Sequence, residues 1–233
     1  MNWWQEEQKL WSEGYTCIAG VDEAGRGALA GPVVAACVVL PCNIAPDGIN
    51  DSKQLSPHQR ETLYGTILKT ARGVGIGIVD VETIEAVNIL RATHIAMRLA
   101  LKNLSAGLFP DIALIDGLPV KDFPIMQLAL VKGDQRSISI AAASIIAKVT
   151  RDRLMTDLDS TYPDYGFALH KGYGVPQHLL ALKERGVLPI HRRTFRPIVE
   201  AGGGVMHLEE EERSSHVAPK TGAGRRSTRP KLP

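Results

Sequence analysis

Cys17-Ile18-Ala19-Gly20-Val21-Asp22-Glu23-Ala24-Gly25-Arg26-Gly27 is an apolar run that ends in two adjacent acids and a glycine-flanked arginine. The run is short and continuous, the pattern of a buried β-strand, and predicts strand one from about Thr16 to Glu23. Asp22 and Glu23 then stand at the strand's carboxyl end, where carboxylate oxygens can hold a hard divalent cation. Gly25 and Gly27 let the backbone approach a ligand closely, and Arg26 supplies charge for a phosphate. Taken alone, the hexapeptide also reads as an ordinary acidic turn after a strand.

Working outward, Pro32 to Leu40 predicts strand two, and the short glycine-rich link before it fits an antiparallel pair. Ser56-Pro57-His58-Gln59 carries a capping serine, a first-turn proline and the glutamine of a capping box, so a helix starts there with Leu63, Ile67 and Leu68 inward. Gly73 to Val79 reads as strand three. Asp80 caps a helical stretch that breaks near Asn88 and runs on to Leu104. Asp111 to Ile115 predicts strand four, ending at Asp116-Gly117, and Ile125 to Val131 predicts strand five, ending at Lys132-Gly133-Asp134. A long helix follows from about Ser139 to Leu158, and its Ala141-Ala142-Ala143-Ser144 segment is small enough to lie close against a sheet. Upstream, Asn2 to Glu13 predicts an amphipathic helix closed by Gly14, with Trp3, Trp4 and Trp11 as packing groups. Beyond Tyr162 come short helices and loops, including Pro176 to Arg185.

This order of elements makes an α/β protein with a mixed sheet. Residues 1–200 form its expected folded domain, with about 162–200 a small helical appendage and 201–233 a disordered basic tail. The three cysteines include no CxxC pair for zinc, and no stretch is long and apolar enough to span a bilayer. Reduced thiols in a cytoplasmic protein are the expectation. The net charge of +2 conceals an asymmetry, because six Lys and Arg follow Glu212 with no acid among them. A second basic region, Lys171, Lys183, Arg185, Arg192, Arg193 and Arg196, is opposed only by Glu184 between His170 and Ile198. Such a face suits an anionic polymer, or is a solvated surface with no partner.

Three predicted strands end in an aspartate: Asp22, Asp116 and Asp134. Strands one and four, joined through helices, can be parallel neighbours about 4.8 Å apart, which sets Asp22 and Asp116 in one crevice. Asp134 past strand five would close the group, and Glu23 joins it only if strand one bends or ends there. Four clustered acids repel one another unless a cation compensates, and an all-oxygen set favours Mg²⁺ or Mn²⁺ over zinc. Each acid has a plainer reading as well: Asp116-Gly117 is a common turn dipeptide, and Asp134 could cap the helix after it.

The motifs Gly20 to Gly27, Leu29-Ala30-Gly31-Pro32-Val33-Val34-Ala35-Ala36, Asp51-Ser52-Lys53-Gln54-Leu55, Ile115-Asp116-Gly117, Lys132-Gly133-Asp134, Ser139 to Val149 and His170-Lys171-Gly172-Tyr173-Gly174, in this order, resemble the type 2 ribonuclease H family in its bacterial ribonuclease HII branch. The resemblance covers roughly Gly14 to Ile198 and departs at Ala28, where a proline is expected. It implies a ribonuclease H-like five-stranded mixed sheet flanked by helices. It also implies an endonuclease that cuts the RNA strand of RNA–DNA hybrids, including single ribonucleotides embedded in duplex DNA, leaving 3′-hydroxyl and 5′-phosphate ends. Residue by residue, it makes Asp22, Glu23, Asp116 and Asp134 the catalytic, metal-binding acids, with Mn²⁺ or Mg²⁺ as cofactor. Gly25, Arg26 and Gly27 would contact the sugar-phosphate, Lys53 would hold a phosphate, and Tyr173 would stack on the next sugar at an RNA-to-DNA junction.

Other readings stand beside this one: a related carboxylate nuclease such as a junction resolvase, or an inert nucleic-acid-binding module, which would have lost its acids. Lys148 and Asp152, one helical turn apart, read as a structural pair. His170, His178 and His191 read as appendage residues without a ligand role. A monomer is the default, and contact with a replication clamp is left open.

Overall fold

A computed structural model of the chain describes residues 3–105 and 107–203. The expected disordered tail lies outside the described residues from 204 onward, while Val199–Gly203 forms a last helical turn.

Five strands, β1 (Ile18–Ala24), β2 (Val33–Val39), β3 (Gly73–Val79), β4 (Ile112–Asp116) and β5 (Met126–Leu130), form one sheet in the order β3-β2-β1-β4-β5. β2 runs antiparallel to β1 and β3, whereas β4 is parallel to β1 and β5 is parallel to β4. The carboxyl ends of β1, β4 and β5 therefore emerge along one rim, as the strand reading requires. Period-two alternation sends Ala19, Val21, Ala35 and Cys37 to one face. There they pack against Ala92, Ala96 and Ala100 of α4 (Ile89–Lys102). Ala36 and Val38 face the other way, against the alanines of α5 (Ile138–Thr161) and Leu63 and Ile67 of α2 (Pro57–Thr70).

Helix starts follow the local signals. Ser56 accepts the Gln59 amide N–H at 3.2 Å while the Gln59 side chain accepts the Ser56 N–H at 2.8 Å, the reciprocal box the sequence predicts. Asp80 caps α3 (Val81–Val87) through the Thr83 N–H. Asn88, at φ 68°, breaks the stretch and caps α4 through the Arg91 N–H. α5 starts one residue earlier than expected, because Ser137 caps it through the Ile140 N–H, and it runs three residues further, to Thr161. α1 (Gln5–Ser12) is shorter than predicted. It is fastened by buried Glu7, which accepts the Ser137 hydroxyl at 2.6 Å and the Ser139 N–H at 3.1 Å.

The glycines that thin β3 admit α4: a Cβ on Gly77 would lie 2.0 Å from the Ala96 carbonyl oxygen. Gly20 does the same on the other face, where a Cβ would fall 2.0 Å from the carbonyl carbon of Ser139. After α5 the chain forms α6 (Phe167–His170), α7 (Pro176–Arg185) and α8 (Arg196–Ile198). This helical unit packs through Tyr165, Phe167 and Ala181 onto Ala30 and Met155. Among the described residues, no helix is long and apolar enough to cross a membrane.

Candidate active site

The sheet's rim brings the four predicted acids together. Parallel pairing of β1 with β4 stops at Val21–Ile115, while β1 continues against β2 as far as Ala24. Asp22 and Glu23 thus project past the edge of β4. Although alternation points them to opposite faces, both reach the crevice above it. Asp22 is buried, and the Glu23 N–H donates to its Oδ1 at 2.6 Å. Asp116 ends β4 and accepts the Gly133 N–H at 2.7 Å, which draws the turn after β5 over the rim. Lys132, at φ 54°, makes that turn, and Asp134 follows it, 3 % exposed.

The electrostatics show how near these groups stand. Burial pushes the Asp22 carboxyl well above the ordinary carboxylate range, and the charges of Glu23, Asp116 and Asp134 push it further. Asp116 is raised by burial and then by Asp134. Burial also raises Glu23, with Arg26 and Lys53 opposing the shift and Asp116 reinforcing it. Among the described residues no three acids, imidazoles or thiols already stand at ion-holding distances, so the cluster is a rim of like charges and not a closed cage.

Its chemistry nonetheless fits a hard divalent ion. All donors are carboxylate oxygens, the acids carry mutual repulsion that a cation would relieve, and a side-chain cation is already drawn against Asp134. That cation is Lys53, whose Nζ lies 3.2 Å from Asp134 Oδ2. Burial would lower its pKa, yet the hydrogen bond to Asp134 and the charges of Asp134, Asp51 and Asp22 hold it above the usual lysine value. Buried Asp51 shapes its loop by accepting the Lys53 N–H at 2.9 Å. On the Glu23 side the wall is made by Leu90, Thr93 and His94 of α4 with Leu118, none of which the sequence marked.

Next to the acids, the Gly25-Arg26-Gly27 loop leaves Arg26 exposed, its Nη1 3.8 Å from Glu23 Oε1. The loop is built from behind by two arginines, Arg192, which sequence reasoning counted in the basic face, and Arg151, which it did not mark. Arg192, fully buried, donates to the carbonyl oxygens of Gly25 (2.8 Å), Arg26 (2.9 Å) and Gly31 (2.9 and 3.1 Å). Arg151, equally buried, donates to those of Ala30, Pro32 and Lys171 at 2.9 to 3.0 Å. Neither has a carboxylate partner at bonding distance among the described residues, and burial holds the Arg192 guanidinium down at about 9. Gly25 is required here twice: its φ is 91°, and a Cβ would lie 1.9 Å from Arg151 Nε. Ala28, where the family pattern led us to expect proline, closes the turn by donating its N–H to the Gly25 oxygen at 3.2 Å.

Tyr173 comes to the same place. Its loop is tied to the one above by the Leu29 N–H, which donates to the Gly172 oxygen at 2.8 Å, while the Gly31 N–H donates to the Ile190 oxygen of the segment after α7 at 2.9 Å. The half-buried Tyr173 ring has Arg151 at 5.3 Å and Lys148 at 5.6 Å from its centroid. Lys148 also pairs with Asp152 at 2.7 Å, the structural pair expected.

The basic face predicted between His170 and Ile198 needs correction. Arg192 is interior, while Arg185 pairs with Asp164 and Arg196 with Glu200, two acids just outside the stretch over which charge was counted. A buried arginine looks like a surface one in sequence, so composition held no signal for this.

The profile of the family described as Ribonuclease HII matches residues 19–198, which include the four acids, Lys53, the Gly25–Gly27 loop, Arg151, Tyr173 and Arg192. This chain belongs to the ribonuclease HII family. The ribonuclease HII of Acetivibrio thermocellus is 56% identical over 189 residues, 81% of this chain and 73% of that one. Among solved structures, the ribonuclease H2 of Pyrococcus horikoshii OT3 superposes with a TM-score of 0.65 at 28% identity, covering 79% of this chain and 96% of that one. A ribonuclease HII solved in complex with PCNA, from Archaeoglobus fulgidus, gives 0.64 at 29% identity, covering 77% and 95%. Membership makes the chain a ribonuclease H, a divalent-metal-dependent endonuclease that degrades the RNA of RNA–DNA hybrids.

Proposed function

We propose that this ribonuclease HII incises duplex DNA at single embedded ribonucleotides as well as cutting longer hybrids, and leaves 3′-hydroxyl and 5′-phosphate ends. The observation that carries the reading is the joining of the Gly25-Arg26-Gly27 loop and the Tyr173 loop into one piece beside four convergent acids. Asp22, Glu23, Asp116 and Asp134 would hold Mn²⁺ or Mg²⁺, which would supply Lewis acidity to the scissile phosphodiester.

The chain's own groups do the rest. Gly25 and Gly27 bring backbone close to the sugar whose 2′-hydroxyl distinguishes RNA from DNA, and Arg26 neutralises phosphate. Lys53, exposed beside Asp134, would supply a positive charge to a substrate phosphate. Tyr173 stacks on the following sugar, so that one rigid surface reads a ribonucleotide and the deoxynucleotide after it. The enzyme works as a monomer, and a clamp like the PCNA of the Archaeoglobus complex is its expected protein partner.

Cleavage of a DNA duplex carrying one ribonucleotide, beside an all-DNA control, tests the reading in Mn²⁺, in Mg²⁺ and in chelator. A single metal-dependent cut on the 5′ side of the ribonucleotide is expected. No cut with either metal, or cutting of the all-DNA control, would overturn it.

A further inference from the structure

Three histidines that the site does not use lie together inside the helical unit: His178 and His191 are fully buried and His170 nearly so. His170 stacks on His178 with ring centroids 4.5 Å apart, His178 and His191 are 5.2 Å apart, and Phe167 contacts all three.

Their hydrogen bonds admit one arrangement of protons, because a backbone N–H only donates and a carbonyl only accepts. The Leu188 N–H donates to His191 Nδ1 at 2.8 Å, so the His191 proton is on Nε2. That nitrogen lies 3.0 Å from His178 Nε2, which must accept. The His178 proton is then on Nδ1, which donates to the carbonyl oxygen of Tyr173 at 3.0 Å. His170 follows the same logic: Nδ1 accepts the Gly172 N–H at 3.1 Å and Nε2 donates to the Tyr165 oxygen at 2.7 Å. All three rings are neutral in this scheme and every ring nitrogen is satisfied. A further proton on His191, His178 or His170 would face the Leu188 N–H, the His191 Nε2–H or the Gly172 N–H respectively.

We propose that His178 and His191 are positioning residues for Tyr173: their ordered, neutral chain fixes the Gly172–Tyr173 backbone and with it the site where the ring meets nucleic acid. The inference rests on the reading of Tyr173 given above. Burial, with the neighbouring imidazoles, pushes both histidines down to about 4, so the chain is intact at neutral pH. The titratable groups facing the pair are His170 and the Tyr165 ring, the latter 5.6 Å from His191. Arg151 and Lys148 of α5 reach the Tyr173 ring instead of the imidazoles.

The test is junction preference, the ratio of kcat/KM on a DNA–RNA–DNA hybrid to that on a hybrid with a uniform RNA strand. The Asn amide can stand where Nδ1 stands, whereas Gln places its amide near Nε2. His178→Asn should therefore keep the preference, and His178→Gln and His178→Phe should lower it about fivefold, the worth of one ordinary hydrogen bond. Equal preference in all three variants would overturn the inference. In the wild type, ¹⁵N spectra at pH 6 should show His178 protonated on Nδ1 and His191 on Nε2. A charged ring or another tautomer at either of these two would overturn it whether or not the variants fold. Tyr173→Ala separates the two levels. If it leaves the preference unchanged, the reading of Tyr173 fails and the inference with it. If it abolishes the preference while His178→Gln does not, the inference alone fails.

Discussion

The guanidinium of Arg192 donates to the carbonyl oxygen of Gly25 at 2.8 Å, across 167 residues of sequence. A buried guanidinium with no carboxylate at bonding distance is costly to desolvate, and here backbone carbonyls compensate it, with the Phe195 ring centroid 5.2 Å from the guanidinium. Replacing it leaves the Gly25, Arg26 and Gly31 oxygens short of donors. Arg192→Met should cost about 3 kcal/mol of stability, and Arg192→Lys should rescue little because an ammonium cannot span the fork. Thermal melting checks the first point. Loop displacement should also lower kcat/KM on hybrid about 10- to 100-fold in whatever fraction folds.

Relief of like-charge repulsion separates function from stability at the acids. Without added metal, Asp22→Asn should melt higher than the wild type at pH 8, by roughly 1–2 kcal/mol, since burial and three neighbouring acids oppose ionisation of that carboxyl. Added Mg²⁺ should stabilise the wild type and shift the variant far less, and cleavage should fall by about two orders of magnitude or more. A variant that melts lower than the wild type without metal would refute the electrostatic account.

Gly20 tests how closely α5 must lie on β1. A methyl there meets the Ser139 backbone and not a side chain that could move aside. Gly20→Ala should destabilise by about 3 kcal/mol and move the strand end that carries Asp22. Denaturant unfolding gives the first quantity, and the Mg²⁺-dependent melting shift reports the second.

Acid should loosen the helical unit in a defined window. His178 and His191 titrate near 4 in the fold, against about 6.5 in an unfolded chain. Between those values the unfolded state binds more protons, so their contribution is fully present above pH 6.5 and is lost as pH falls toward 4. The slope is up to about 1.4 kcal/mol per pH unit for each proton taken up. Denaturation of the wild type and of His178→Asn from pH 7 to 4.5 checks this, with the shallower slope expected in the variant.

The elements were legible because their signals are local. Alternating or continuous apolar runs marked all five strands, and Ser56, Asp80 and Asn88 announced their helices within a few residues. Asp22, Asp116 and Asp134 were readable for the same reason, since each follows an apolar run and parallel connections leave such ends side by side. Glu23 depended on where β4 stops pairing, which no residue of β1 encodes.

By itself, then, the sequence determined the strand and helix set, the mixed sheet, the acids and the family. Only the tertiary structure decided which charged groups are interior. Arg192 and the three histidines read as part of a basic appendage and Arg151 carried no signal at all, yet they supply the hydrogen bonds that hold the Gly25–Gly27 and Tyr173 loops together. The physical reason is that a buried polar side chain is defined by its partners. These partners are backbone carbonyls and N–H groups, most of them distant in the chain, which every residue except proline's missing N–H supplies alike, so sequence pattern cannot point to them.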